Sequence, residues 1–327
     1  MKLPLLCLLA TLAPALPGAT IRPFTIDTVM ADLARTHPEA TRVDGALPPG
    51  VVAHEDLVYS HPAEGDLSLD LYRPGGPVRL PAVIIVHGGG WVAGDRRMER
   101  PFARQLAARG YVVATVSYRL GRAGRFPAPV NDLKAAVRWL RAHADDYGID
   151  ASAIGAVGGS AGGSLATFIG ASNGVAEFEG DTGTPGQSSA VQAVVDIDGS
   201  VTFLNNALIR SSETRPSPYF EFVHGIYSQN RAVWVAASPI LYVSRQSAPV
   251  LFIKSTAPTP ILAGRDEMCA RLNILGIDSR VIQFPNTPHP FWLVHPWFER
   301  VVDETDGFLA RHLKRPAAPG LSPAPRP

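Results

Sequence analysis

Two glycine-rich turns, each at the end of an apolar run, constrain this 327-residue chain more than any other feature. Residues 87–91 (HGGGW) follow the apolar run 81–86, and residues 158–162 (GGSAG) follow the apolar run 153–157. A strand that opens into a glycine-rich turn exposes backbone N–H groups, and a strand-to-helix turn of the form G-x-S-x-G holds a serine hydroxyl out of a tight elbow. The pair therefore predicts a nucleophile, Ser160, that faces an oxyanion hole.

The sequence context makes the serine motif specific. With 30 glycines in the chain, a G-x-S-x-G match alone is weak. Here a strand pattern precedes it and a helix pattern, residues 162–169, follows it, as the elbow requires. Gly158 and Gly162 keep side chains out of a turn too sharp to accept them.

Apolar strands alternate with helices over most of the chain. We predict strands at residues 82–86, 111–118, 153–157, 190–197, 250–254 and 279–284, and helices at 26–35, 101–109, 130–144, 161–172, 263–275 and about 296–313. This alternation is typical of an α/β domain whose mostly parallel central sheet is flanked by helices on both faces. Two earlier segments, 57–60 and 67–72, alternate apolar and polar residues and predict an antiparallel start to the sheet.

A long insertion interrupts the α/β pattern. Residues 199–234 show little periodicity but contain several aromatic residues: Phe203, Tyr219, Phe220, Phe222 and Tyr227. A long stretch of this kind inside a compact domain is functional or disordered, and the aromatic content argues against disorder. We interpret about 200–234 as a cap over the carboxyl ends of the strands, within one domain that spans 20–314.

The two ends of the chain have compositions of their own. Lys2 and the apolar stretch 3–16 predict a signal peptide, residues 1–19, with cleavage after Ala15 or Ala19. No later segment is apolar enough to span a bilayer, so we expect a secreted or periplasmic protein with no stable membrane anchor. Residues 315–327 are rich in proline and predict a disordered tail.

Charge and cysteine content exclude several classes of partner. A net charge of +1 provides no basic field, so nucleic acid is not an expected partner. Removal of Cys7 with the signal peptide leaves Cys269, which we predict to be a buried thiol. No Cys/His cluster has the spacing of zinc ligands, so we predict no metal and no organic cofactor.

Four motifs in one order carry a family resemblance. They are residues 87–91 (HGGGW), 117–120 (SYRL), 158–163 (GGSAGG) and 288–291 (PHPF). Over about 57–313 the chain resembles the α/β-hydrolase fold, and within it the HGGG-bearing serine esterases of the hormone-sensitive-lipase-like and feruloyl or acetylxylan esterase-like branches. The resemblance implies the chain order nucleophile, acid, histidine.

The general base and the oxyanion donors follow from that order. His289 comes a few residues after the last strand, where the fold places the base that takes the Ser160 proton. His295 is the alternative base. Backbone N–H groups of Gly88 or Gly89 and of Ala161 would hold the oxyanion. Trp91, directly after the glycine loop, is the candidate for lining the substrate pocket.

The acid is where this chain departs from its relatives, which carry an aspartate shortly after the strand here predicted at 250–254. Residues 255–260 (STAPTP) contain no carboxylate. Asp198 closes the preceding strand, and Asp266 falls in the first turn of the next helix. We favour Asp198, because the carboxyl ends of parallel strands carry catalytic groups, whereas an acidic residue in a first turn is explained by the helix dipole.

Taken together, these features predict a secreted serine hydrolase that forms an acyl-enzyme on carboxylic esters. By resemblance, the substrate would be a small-molecule or polysaccharide ester, with acetyl or feruloyl groups on plant polysaccharide as the specific expectation. A short-chain lipase or esterase of general specificity is the near alternative. A catalytically dead binding module on the same scaffold is the non-enzymatic alternative, kept open by the missing carboxylate.

Overall fold

A computed structural model describes residues 21–215, 217–256 and 262–314. The predicted signal peptide, residues 1–19, and the predicted tail, residues 315–327, lie outside the described residues. Within them, one central sheet organises the chain.

The strands of the described residues are β1 Thr41–Arg42, β2 Val51–Ser60, β3 Leu67–Pro74, β4 Leu80–Val86, β5 Val112–Val116, β6 Ile149–Gly159, β7 Ala193–Ile197, β8 Val250–Lys254, β9 Arg280–Gln283 and β10 Val294–His295. Eight of them form the main sheet, in the order β2-β3-β5-β4-β6-β7-β8-β9. β3 pairs antiparallel with both β2 and β5, and all later pairs in this sheet are parallel. β1 and β10 form a separate antiparallel pair.

Helices cover both faces of the sheet. They are α1 Ile26–Thr36, α2 Arg100–Ala108, α3 Ala128–Ala142, α4 Ala144–Tyr147, α5 Ala161–Ala171, α6 Asn206–Thr214, α7 Tyr227–Ala236, α8 Arg265–Ile274 and α9 Phe298–Leu313. α3, α5 and α8 bury their apolar side chains on one face, and α1, α2 and α9 on the other. Strands such as β4 are buried on both sides, which is why their sequences are continuously apolar.

The predicted mostly parallel sheet with an antiparallel start is confirmed, and the largest boundary differences have a local cause. β2 begins at Val51, six residues before the predicted strand. A register shift lies between His54 and Leu57, and Asp56 has a φ of 57°. The bulge breaks the period-two pattern on which the prediction depended.

The segment predicted as a cap contains two helices, α6 and α7, and a 3₁₀ turn at Pro218–Glu221. α7 is kinked at Asn230, which has non-helical dihedral angles. Short helices joined by turns give no sustained 3.6-residue period, so the sequence pattern did not predict them. The segment packs on the loops after β4 and β5, where Phe222 accepts a hydrogen bond from the Phe126 N–H group.

Cys269 is buried and free, as predicted. None of the helices in the described part of the chain combines the length and the apolar character needed to cross a bilayer.

Candidate active site

Ser160 lies at the turn between β6 and α5, in a backbone conformation with φ 55° and ψ −121°. This conformation is costly for a residue with a side chain, and it persists only where the surroundings fix it. Two glycines make the turn possible, because a Cβ on Gly158 would overlap the Gly162 carbonyl and a Cβ on Gly162 would overlap the Val86 carbonyl. The Ser160 N–H group donates to the Ile197 carbonyl at 2.8 Å, which ties the elbow to β7.

His289 follows β9 and brings its ring to the serine. Its Nε2 atom lies 2.8 Å from Ser160 Oγ. The ring packs edge-on against Trp292, with centroids 5.5 Å apart. The imidazole side chain is 38% exposed, so a substrate can reach it from solvent.

Asp198 directly follows β7 and completes the chain of contacts. Its Oδ2 atom lies 3.1 Å from His289 Nδ1, while Oδ1 accepts from the Ser255 N–H group at 2.8 Å and from Arg265 Nη1 at 2.9 Å. The carboxylate is fully buried. Burial raises its pKa, but its hydrogen bonds and the nearby positive charge outweigh burial, so the pKa of Asp198 lies below its ordinary value.

The two alternatives considered from the sequence lie elsewhere. Asp266 pairs with Lys254 at 2.9 Å and is mostly exposed. His295 pairs with Glu299 at 2.7 Å. The structure therefore brings Ser160, His289 and Asp198 together and does not bring Asp266 or His295 into that set.

The HGGGW loop lies against the serine. A Cβ built on Gly88 would be 3.3 Å from Ser160 Cβ, so a side chain here would crowd the serine. Ala161 is the first residue of α5, and its N–H group therefore has no partner within the helix. These positions suit N–H donors directed at a charge that develops beside Ser160.

His87 holds this loop. Its ring stacks on Tyr118 at 4.4 Å, and the Tyr118 hydroxyl donates to the His87 carbonyl at 2.9 Å. Burial lowers the pKa of His87 to about 4, so the ring is neutral at ordinary pH. These contacts indicate a structural role for His87.

The aromatic side chains near the loop differ from the expectation. Trp91 is 2% exposed and stacks on Phe222 at 4.8 Å, so its ring belongs to the core beneath the insertion and does not line an open pocket. Two other rings lie on the loop instead. The Phe24 ring would be 3.4 Å from a Cβ on Gly88, and a Cβ on Gly90 would overlap the ring of Tyr219, which is 51% exposed.

Sequence reasoning missed Arg265 and Phe24. Arg265 is the first residue of α8, where a cation opposes the helix dipole, and that mismatch was the available signal. Phe24 lies before α1, and nothing in its surrounding sequence distinguishes it from other apolar residues.

No group of three or more His, Cys, Asp or Glu side chains in the described ranges could hold a metal ion. Ser160, His289 and Asp198 form a hydrogen-bonded series of hydroxyl, imidazole and carboxylate, which is able to activate the hydroxyl as a nucleophile.

The sheet order, the serine elbow after β6 and the histidine after the last strand of the main sheet define the α/β-hydrolase fold. The BD-FAE family matches residues 69–262, which is more than half of the chain, and the chain belongs to that family.

Named relatives and solved structures agree with this assignment. Esterase LipC of Mycobacterium tuberculosis is 32% identical over 179 residues, which cover 53% of this chain and 43% of LipC. A bifunctional GH43-CE structure from Bacteroides eggerthii is 28% identical with a TM-score of 0.68, covering 79% of this chain and 38% of that chain. The propionate-bound Est2 esterase of Thermogutta terrifontis is 25% identical with a TM-score of 0.67, covering 82% of this chain and 97% of that one.

The chain spans about half the length of the curated relatives it matches. The covered shares are 43% of LipC, 60% of LipQ and 50% of LipM, all from Mycobacterium tuberculosis.

Proposed function

We propose that this protein is a serine hydrolase of carboxylic esters. Ser160 is the nucleophile, His289 the general base and Asp198 the acid that orients the histidine. One observation carries the proposal: hydrogen bonds run without a break from Ser160 Oγ through His289 to Asp198. The esterase names of the relatives support the same reaction class.

The geometry supports a two-step reaction. His289 Nε2 takes the hydroxyl proton as Ser160 attacks the ester carbonyl, and later gives that proton to the leaving alcohol. Backbone N–H groups of Gly88 or Gly89 and of Ala161 stabilise the oxyanion, each by about 3 kcal/mol in comparable sites. Water activated by His289 then hydrolyses the acyl-enzyme and frees Ser160.

For the substrate, we propose acetyl or feruloyl esters on plant polysaccharide. Two neighbours support a small acyl group and a carbohydrate context: the propionate-bound Est2 and the bifunctional GH43-CE protein. The exposed ring of Tyr219 on the glycine loop adds a local reason, since exposed aromatic faces suit ring-bearing substrates. We also propose that this activity lies outside the cytoplasm, which the signal peptide predicted at residues 1–19 supports.

Turnover of p-nitrophenyl acetate by the wild type and by Ser160→Ala tests the reaction class. We expect the substitution to abolish turnover, and we expect the exposed control Ser228→Ala to keep it. Labelling with a fluorophosphonate, followed by intact mass measurement, reports the nucleophile independently of substrate choice.

The same experiment separates the enzyme from the binding module. A wild type that neither labels at Ser160 nor turns over acetyl, propionyl or feruloyl esters would contradict the hydrolase proposal and favour a binding module.

A further inference from the structure

Arg265 contacts the same carboxylate as the histidine, from the opposite side. Asp198 Oδ2 faces His289, while Asp198 Oδ1 accepts from Arg265 Nη1 at 2.9 Å. A carboxylate bonded through only one oxygen can rotate. Fixing Oδ1 leaves Oδ2 pointing at the imidazole.

We infer that Arg265 is a positioning residue: it holds the Asp198 carboxylate in the orientation that hydrogen-bonds His289. The inference rests on the proposed function, because it assumes that Asp198 serves as the acid. It goes beyond that function by assigning part of the catalytic geometry to α8, a helix that does not touch Ser160 or His289 through any described hydrogen bond or ion pair.

The location of the contact explains why it exists. Residues 255–260 carry no carboxylate, and the β8 end contributes the Ser255 N–H group to Asp198 instead. The carboxylate comes from β7, one strand closer to the nucleophile, and is held from β8 and α8. The two donors to Asp198 Oδ1 are the Ser255 N–H group and Arg265 Nη1. They replace the hydrogen bonds that an acid in the loop after β8 would accept from that loop.

Because Arg265 and Asp198 are both buried, each charge depends on the other for compensation. Asp198 is fully buried and Arg265 is 6% exposed, so each charge has lost most of its contact with water. Removing one member of such a pair leaves the other uncompensated. The cation also stands in the first turn of α8, where the helix dipole disfavours it, and the bond to Asp198 offsets that disadvantage.

The charge of Arg265 also acts on the histidine. Charged or titratable groups around the Asp198 carboxylate among the described residues are Arg265, His289 and Asp196, which is buried two residues earlier on β7. When His289 takes the serine proton, the imidazolium meets the Arg265 charge across the carboxylate. Removing the guanidinium removes this repulsion, so the acid limb of kcat/KM should move to higher pH.

Arg265→Met, Arg265→Lys and Asp198→Asn test the inference on p-nitrophenyl acetate. For Arg265→Met we expect kcat about 100-fold lower, as for a misplaced catalytic group, with KM little changed and the acid limb moved upward. Arg265→Lys keeps the positive charge but loses the planar guanidinium group. The acid limb of kcat/KM should therefore stay at its wild-type pH, while kcat recovers in part relative to Arg265→Met. Glu267→Gln is the matched control: Glu267 lies two residues after Arg265 on α8 and pairs with Arg271, so this variant should behave as the wild type.

The double variant Arg265→Met/Asp198→Asn provides the decisive comparison. Because Arg265 acts through Asp198, its kcat should equal that of Asp198→Asn alone. If Arg265→Met fails to fold, the Arg265→Lys/Asp198→Asn pair gives the same comparison.

Wild-type kcat and pH profile in Arg265→Met, or additive losses in the double variant, would overturn the inference while leaving the serine hydrolase intact. Full activity of Asp198→Asn would instead overturn the acid assignment itself, and this inference with it.

Discussion

Ser160 and Asp198 share an unusual backbone conformation. Their φ angles are 55° and 53°, a region that residues with side chains rarely occupy. Each follows a parallel strand directly, and the turn there points the side chain away from the sheet toward the loops. Positive φ angles occur at other non-glycine residues as well, but at Ser160 and Asp198 they fall on the two residues that meet His289, as expected where surrounding structure holds a site in place.

Asp198→Asn and Asp266→Asn should differ sharply in activity. An asparagine at 198 keeps the shape but holds His289 in the wrong tautomer, which costs about 10⁴-fold in kcat in the serine protease that defines this effect. Asp266 contacts Lys254 at an exposed position, so its substitution should change kcat by no more than about twofold. Steady-state kinetics on p-nitrophenyl acetate measures both; a collapse in Asp266→Asn alone would contradict the geometry.

Residues within local motifs could be predicted, and residues that act across the fold could not. Ser160 and His289 stand in short patterns whose context is visible in the sequence. Asp198 followed from its position at the carboxyl end of a predicted parallel strand, without a motif. Arg265 depends on how α8 is rotated against β7, a contact between residues 67 positions apart, and no local pattern contains that information.

Among the elements, the insertion contributes most to the surroundings of the site. Arg125 pairs with Glu221, so the loop after β5 holds the 3₁₀ turn that carries Tyr219. Tyr219 in turn lies on Gly90 with half of its surface open. The insertion therefore places an aromatic face beside the glycine loop, where the group attached to the scissile ester would lie.

Tyr219→Ala should lower kcat/KM selectively for ring-bearing esters. Stacking on an aromatic face contributes about 1 kcal/mol, so we expect a loss of about five- to tenfold on methyl ferulate or an acetylated sugar. Ethyl acetate has no ring and should be nearly unaffected, and Tyr219→Phe should retain most of the activity on all three. Equal losses on ethyl acetate and methyl ferulate would show that the ring supports the fold and does not select the substrate.

Regular elements were predictable where burial alone determines the pattern. β8 has the predicted bounds, 250–254, because an interior parallel strand is apolar on both faces. The two helices of the insertion were not predicted, since both are short and bury few residues: α7 packs Trp234 against Phe203 and Phe220, and α6 buries Leu208.

At the scale of the whole molecule, a buried carboxyl links two distant parts of the chain. Trp292 Nε1 donates to Glu99 Oε1 at 3.4 Å, joining the start of α2 to the segment after His289. Both side chains are buried, and the Trp292 ring packs directly against Gly159 beneath the elbow. Burial raises the pKa of Glu99 to about 8, opposed in part by the Trp292 bond.

This carboxyl should make stability fall as pH rises. In the unfolded chain Glu99 loses its proton near pH 4.5, whereas the folded protein retains it up to about pH 8. Between those values the folded state binds more protons, so the free energy of unfolding decreases with increasing pH. Glu99→Gln mimics the protonated form. Its Tm should therefore fall by less between pH 5 and pH 8 than the Tm of the wild type does.

Calorimetry at both pH values measures the effect, with the exposed Glu267→Gln as the control that should follow the wild type. Parallel Tm curves for the wild type and Glu99→Gln would contradict a protonated Glu99.

The main-chain bond from Ser160 to Ile197 joins the proposed nucleophile to the strand that directly precedes the proposed acid. Because β6 and β7 are interior strands, heat cannot separate the two groups without melting the middle of the molecule. The site is therefore lost only when the whole molecule unfolds. The lifetime of its activity at high temperature is set by the barrier to global unfolding.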